Sequence, residues 1–194
     1  MNFQNKVIWI TGASSGIGRA LAIELSNQDA LLIISARSKA TLEAVKKSCK
    51  NPSNVWVLPL DLEAHSSFIK ITATAIQIFG KIDILVNNGG ISQRSLAAET
   101  NISVDKKIMK VNYTGTVALT KTILPHFIEN NKGQFVVTTS MVGLIGTPLR
   151  SSYAASKHAL HGFFDSLRAE VFDYNIAVTL ICPGFVSTNI SMNA

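Results

Sequence analysis

Along this chain, short runs of aliphatic and β-branched residues alternate with longer stretches whose apolar positions recur every three or four residues. Residues 6–11, 30–36, 54–58, 82–86, 133–137 and 177–182 read as strands. Residues 16–27, 41–49, 65–79, 105–111, 114–128 and 152–174 read as helices. Pro125 should kink or shorten the helix that contains it. The run Leu31-Leu32-Ile33-Ile34 is continuously apolar, as in a strand covered on both faces. Repeated strand–helix units imply right-handed crossovers and an α/β fold, a doubly wound parallel sheet with helices on both faces.

Composition narrows this little. The 194 residues suffice for one domain with a sizeable core, and no repeat or linker divides them. Hydrophobic residues make up 47% and charged residues 15%. No apolar run approaches the ~18 residues of a membrane span, and the first one is too short for a signal peptide. The net charge is +6, but Lys46-Lys47, Lys106-Lys107 and Lys110 are scattered over helical segments. They read as solvated faces, which argues against nucleic-acid binding. Cys49 and Cys182 are too few for a disulfide framework and read as free thiols in a reducing, cytoplasmic setting. His65, His126, His158 and His161 lack metal-ligand spacing and read as ordinary helix residues. Trp9 and Trp56 read as strand packing.

The polar oddities fall at the carboxyl ends of the expected strands, where such sheets bind ligands. Thr11-Gly12-Ala13-Ser14-Ser15-Gly16-Ile17-Gly18 is a strand-to-helix turn with G-x-x-x-G-x-G spacing. Such a turn brings backbone N–H groups and a helix N-terminus against a pyrophosphate, and Ser14 and Ser15 can donate to its oxygens. Beyond the second strand, where an NAD-binding fold usually holds an acid, stands Ser35-Ala36-Arg37. An arginine there suits a 2′-phosphate, favouring NADP(H) over NAD(H). Asp61-Leu62 follows the third strand, and Asp61 is expected to cap the next helix or to contact adenine. Asn88, with its glycines, follows the fourth strand.

Tyr153 and Lys157 stand at i and i+4, on one helix face, with Ser140 upstream. A phenol with an ordinary pKa of ~10 must drop by ~3 units, about 4 kcal/mol, to exchange protons near neutrality. One ammonium at ~4 Å, in an effective dielectric of ~20, supplies about that much. The pair is therefore a candidate general acid/base, and Ser140 could hold a carbonyl oxygen beside it. Met141, Val142, Leu144 and Ile145 suit either an apolar substrate wall or loop packing.

Together, Thr11-Gly12-x-x-x-Gly16-x-Gly18, Asn87-Asn88-Gly89-Gly90, Asn112, Ser140, Tyr153-x-x-x-Lys157 and Pro183-Gly184 resemble the short-chain dehydrogenase/reductase family over essentially the whole chain. Segments 148–160, 163–170 and 188–194 resemble its member 7B-like group. The resemblance implies a Rossmann-like sheet of order 3-2-1-4-5-6. It implies an oxidoreductase moving hydride between NADP(H) and a secondary alcohol or carbonyl. In that scheme Tyr153 exchanges the proton, and Lys157 lowers the Tyr153 pKa and holds the nicotinamide ribose. Ser140 binds the substrate oxygen, and Asn112 sits where a helix loosens and anchors a water. Gly12, Ser14, Ser15, Gly16, Ile17, Gly18, Arg37, Asp61, Leu62, Asn88, Gly89, Pro183, Gly184, Val186 and Thr188 contact the cofactor. A homodimer or homotetramer is also implied.

Two departures stand out. Gly89 replaces the family's usual alanine, a mild change. The family's lid, following helix and seventh strand normally come after Pro-Gly, so the chain reads as truncated at Ala194, with an incomplete substrate pocket. Two alternatives remain: an NADP-binding sensor or partner protein without turnover, and an epimerase or dehydratase on the same scaffold.

Overall fold

The computed structural model describes residues 3–186. Among these, six strands form one parallel sheet: β1 (Val7–Thr11), β2 (Leu31–Ser35), β3 (Val55–Val57), β4 (Ile84–Asn87), β5 (Gly133–Thr138) and β6 (Ile176–Ile181). Their order is β3-β2-β1-β4-β5-β6, the expected 3-2-1-4-5-6. The α-helices between them are α1 (Gly16–Asn27), α2 (Lys39–Lys47), α3 (Phe68–Phe79), α4 (Ile102–Ile108), α5 (Thr116–Glu129) and α6 (Ser151–Glu170). The order reverses between β1 and β4, which opens a crevice at their carboxyl ends.

The period-2 geometry of the strands supplies two cores. Val7, Trp9, Leu85 and Phe135 face one way, in one cluster with Leu119, Ile123 and Phe127 of α5 and Leu160 and Phe164 of α6. Ile8, Ile10, Leu32 and Ile34 face the other way, in a cluster with Ala22 and Leu25 of α1 and Leu42 and Val45 of α2. Each such side chain stabilises the fold by roughly 1.5–3 kcal/mol when fully buried. Trp9 is fully buried, and its one polar atom is satisfied: Nε1 donates to Ser35 Oγ at 2.9 Å. Trp56, expected to pack, is instead 52% exposed. It lies on β3, the edge strand of the sheet, which pairs only with β2 among the described strands.

Asp83 fastens the start of the sheet. Its Oδ2 accepts from the Val7 N–H at 2.9 Å and pairs with Lys81 at 2.9 Å. Burial alone would raise its pKa, but the Val7 N–H and Lys81 outweigh it and hold the carboxyl below its ordinary 3.8. Asp83→Ala is expected to cost about 1–3 kcal/mol at neutral pH, because it leaves the Val7 donor without its partner. Since the folded-state pKa is the lower one, this contribution is present above 3.8 and fades as pH falls through the folded value. Urea denaturation at several pH values checks this: the gap between wild type and variant should close in acid.

The helical region between β4 and β5 differs from expectation. One continuous helical path runs from Ile102 to Glu129, with a π-helical stretch, Met109–Gly115, where a break was expected. The wider turn accommodates a close approach: a Cβ on Gly115 would lie 2.3 Å from the Leu62 carbonyl oxygen. Pro125 does not shorten α5, which continues to Glu129. Placed in the last two turns, it removes one helical bond, and the Asn130 N–H to His126 carbonyl bond closes the end. The expected helix over 65–79 begins as a 3₁₀ turn, His65–Ser67, before α3.

Candidate active site

The turn after β1 is shaped by its glycines. Gly12 and Gly16 adopt φ values of +65° and +53°, in the left-handed region. A Cβ on Gly12 would lie 2.7 Å from Gly89 Cα, and one on Gly18 would lie 2.4 Å from the Gly12 carbonyl oxygen. The turn therefore lies directly against the end of β4. Thr11 and Asn88 lock this contact. Thr11 Oγ1 accepts from the Asn88 and Gly89 N–H groups at 3.0 Å each, and Asn88 Nδ2 donates to the Thr11 and Gly12 carbonyls. A Cβ on Gly89 would lie 2.8 Å from the terminal Leu62 Cδ1, a flexible neighbour, and at an ordinary 3.4 Å from Gly12 N and Thr11 Oγ1, so alanine is nearly accommodated there.

A cleft of about 1130 Å³ runs across the carboxyl ends of the strands. Gly12, Ser14, Ser15, Gly16, Ile17 and Asn88 form one part of its wall. Pro183, Gly184 and Val186 lie on it as well. A smaller hollow of about 290 Å³, lined by Arg37, Asp61, Leu62 and Gly89, adjoins it. Of the expected cofactor residues, Gly18 lies beneath the turn rather than on the wall, and Thr188 lies outside the described residues. Asp61 caps no α-helix: its Oδ1 accepts from Glu63 N–H at 3.0 Å, closing a local turn well ahead of α3.

The donor set fits a dinucleotide. The N-terminus of α1 carries no acidic residue in its first turn and no side-chain cap, so its N–H groups are available to an anion. Arg37 is exposed at the end of β2, without a hydrogen bond or ion pair among the described residues. The charged side chains lining the larger cleft are Arg37, Arg94, Lys107, Arg150 and Lys157; no described Asp or Glu lines it. Lys157 is 4% exposed, yet among the described residues its three-donor ammonium makes one hydrogen bond, to the Thr138 carbonyl at 2.8 Å. A buried cation with spare donors on a cleft wall suits a ligand rich in hydroxyls or phosphates.

Ser140, Tyr153 and Lys157 all reach this cleft, brought there by β5 and α6. Ser140 caps the 3₁₀ turn Met141–Gly143, its Oγ accepting from Val142 N–H at 3.3 Å. Lys157 Nζ lies 5.7 Å from the centre of the Tyr153 ring. Asn112 is not a wall residue. Buried on the π-helical stretch, it bonds both backbone groups of Ile91, at 2.8 and 2.9 Å, and donates to Ser156 Oγ at 3.1 Å. Met141, Val142 and Ile145 line the cleft, as an apolar wall requires; Leu144 is exposed outside it.

The electrostatics differ from those expected of spacing alone. Burial pushes the Tyr153 phenol above its ordinary 10.0, while a hydrogen bond from Ser140 and the Arg150 charge pull it back. Burial also drives Lys157 from 10.5 down to about 8. Both partners are desolvated together, and desolvation disfavours the charged form of each. Arg150 went unnoticed in the sequence beyond its place in a resemblance segment. Its Nη1 donates to Ser92 Oγ and, at 2.9 Å, to the Gln93 carbonyl. The local signal, a cation three residues before Tyr153, was present but is common on helices.

The family model for short chain dehydrogenase matches residues 6–194. Human dehydrogenase/reductase SDR family member 7 is 50% identical over 97% of this chain and 57% of its own length. Mouse member 7B is 41% identical over 98% of this chain and 61% of its own length. The chain thus spans less than two thirds of these curated relatives. A Burkholderia phymatum short chain dehydrogenase/reductase, solved in complex with NAD, superposes with a TM-score of 0.93 at 26% identity, covering 100% of this chain and 70% of that one. Levodione reductase does so with a TM-score of 0.93 at 28% identity, covering 98% and 76%. With its sheet order, glycine turn and Ser140, Tyr153 and Lys157 on one cleft, this chain belongs to the short-chain dehydrogenase/reductase family of oxidoreductases, in the group of members 7 and 7B.

Proposed function

We propose that the cleft binds NADP(H) and oxidises a secondary alcohol or reduces the corresponding carbonyl. The reading rests on one observation above the others: Ser140, Tyr153 and a buried, under-bonded Lys157 share a cleft with an unpaired Arg37. The bound dinucleotide supplies the hydride chemistry. The turn residues Ser14, Ser15, Gly16 and Ile17 hold its pyrophosphate, and Lys157 donates to its ribose hydroxyls. Ser140 donates to the substrate oxygen, and Tyr153 gives that oxygen its proton in reduction and removes it in oxidation. Asn112 keeps the Ile91 backbone and Ser156 in place around this group.

Arg37 carries the preference for NADP(H), because an exposed guanidinium that makes no ion pair among the described residues can pair bidentately with a 2′-phosphate. Arg37→Asp is expected to weaken NADPH binding about ten- to a hundredfold, the loss of a charged hydrogen-bonded pair worth ~1.5–3 kcal/mol, while NADH binding changes little or improves. Nicotinamide fluorescence titration of both cofactors checks this, and a wild-type preference for NADH overturns the assignment. Turnover is tested separately, by NADPH oxidation across a panel of ketones and aldehydes. NADPH-dependent thermal stabilisation without turnover on that panel would favour a cofactor-binding sensor instead. Product formation without net cofactor consumption would favour an epimerase or dehydratase.

A further inference from the structure

Ile91 and Ser92 line the cleft, and the wall segment 91–93 that carries them is held from two sides. On one side Asn112 takes both the N–H and the carbonyl of Ile91. On the other side stands the beginning of α6. Arg150 Nη1 donates to Ser92 Oγ and to the Gln93 carbonyl, and the Ser95 N–H donates to the Leu149 carbonyl at 3.2 Å. Gln93, 3% exposed, adds Nε2 contacts to Ser95 Oγ, Thr100 Oγ1 and, at 3.4 Å, Ser151 Oγ. Leu149, directly before Arg150, adopts φ +65°, a left-handed conformation that a leucine rarely takes. Such local strain persists where its surroundings over-determine it. Here the clamp between the two segments supplies those surroundings.

Arg150 is half-buried, lines the cleft, and has no carboxylate partner among the described residues. It precedes Tyr153 by three residues and lines the same cleft as the phenol and Lys157. From the neighbouring elements Tyr153 meets the Ser140 hydroxyl. The other charged residues on the cleft are Arg37, Arg94 and Lys107. We infer that Arg150 is a positioning residue with two linked tasks: it clamps the 91–93 wall to the catalytic helix, and it places a second positive charge beside Tyr153.

This rests on the proposed role of Tyr153, and the test separates the two. Tyrosinate absorbance is titrated without cofactor in wild type and Arg150→Met, with Tyr153→Phe subtracted to isolate one of the three tyrosines. The Tyr153 midpoint should rise by about half a unit to one unit in Arg150→Met, since removing a nearby cation disfavours the phenolate. Arg150→Lys should restore the midpoint, because it keeps the charge. It should not restore KM for the carbonyl substrate, because a lysine cannot reproduce the guanidinium fork at Ser92 and Gln93. Far-UV circular dichroism and NADPH titration confirm that the variants fold. An unchanged midpoint in a folded Arg150→Met overturns the electrostatic task, and full KM recovery in Arg150→Lys overturns the clamp. Absence of turnover in wild type, with the absorbance shift still present, would instead count against the proposed reaction.

Discussion

Tyr153→Phe is expected to lower turnover by about 10²–10⁴-fold, the span of a positioned general acid/base. The change removes one oxygen and keeps the ring, so the packing against Lys157, 5.7 Å from the ring centre, persists. NADPH affinity should therefore stay within about threefold of wild type, a change of under ~1 kcal/mol. Steady-state kinetics with any accepted ketone, alongside fluorescence titration of NADPH, reads both quantities. Wild-type turnover in the variant would remove Tyr153 from the reaction. Loss of NADPH binding would make its role structural. The prediction holds although burial raises the phenol in the structure. An acid that stays protonated at neutral pH suits carbonyl reduction, and donation from Ser140 and the charge of Arg150 oppose a further rise.

Lys157→Met should separate activity from stability. Turnover is expected to fall by about 10²–10³-fold, as when a preorganised donor is removed from a reacting oxygen's surroundings. Stability of the cofactor-free protein near pH 7 should hold or rise. A folded-state pKa of about 8, against 10.5 unfolded, corresponds to roughly 3 kcal/mol of burial cost at neutral pH. The lost bond to the Thr138 carbonyl offsets about 1 kcal/mol of the relief. The sign of the pH dependence follows. Between about 8 and 10.5 the unfolded chain binds more protons than the folded one, so wild-type stability should climb with pH across that window. The variant should lack the climb. Tyr153, raised above 10.0, opposes it only at the alkaline end, where the folded form retains a proton the unfolded form releases. Denaturant midpoints at pH values from 7 to about 10 decide the matter, and parallel curves for the two proteins would contradict it.

Much of the fold was legible because its determinants are local. The continuous apolar run at 31–34 reads as a strand covered on both faces, and it is one. The glycines at 12 and 16 stand where the backbone turns left-handed. Less legible were features whose cause lies in another element. Trp56 is exposed because β3 happens to be the edge of the sheet, which no pattern within 54–58 reveals. The π-helical stretch ends at Gly115, which lies close against the Leu62 carbonyl, fifty-three positions earlier in the chain. Of the two roles expected of Asp61, a helix cap or an adenine contact, the first fails because its carboxylate accepts from the Glu63 N–H and a 3₁₀ turn precedes α3.

The sequence by itself determined the strand–helix alternation, the glycine turn at the end of β1, the missing acid near Arg37 and the shared helix face of Tyr153 and Lys157. Each depends on spacing along one segment, and spacing survives into the fold unchanged. Only the tertiary structure decided how those groups behave. Arg150 meets Gln93 across 57 positions, and Asn112 meets Ile91 across 21. The burial that lowers Lys157 and raises Tyr153 is produced by elements converging from across the chain. Desolvation is a property of everything within a few ångströms of a charge, so the residue pair alone did not contain it.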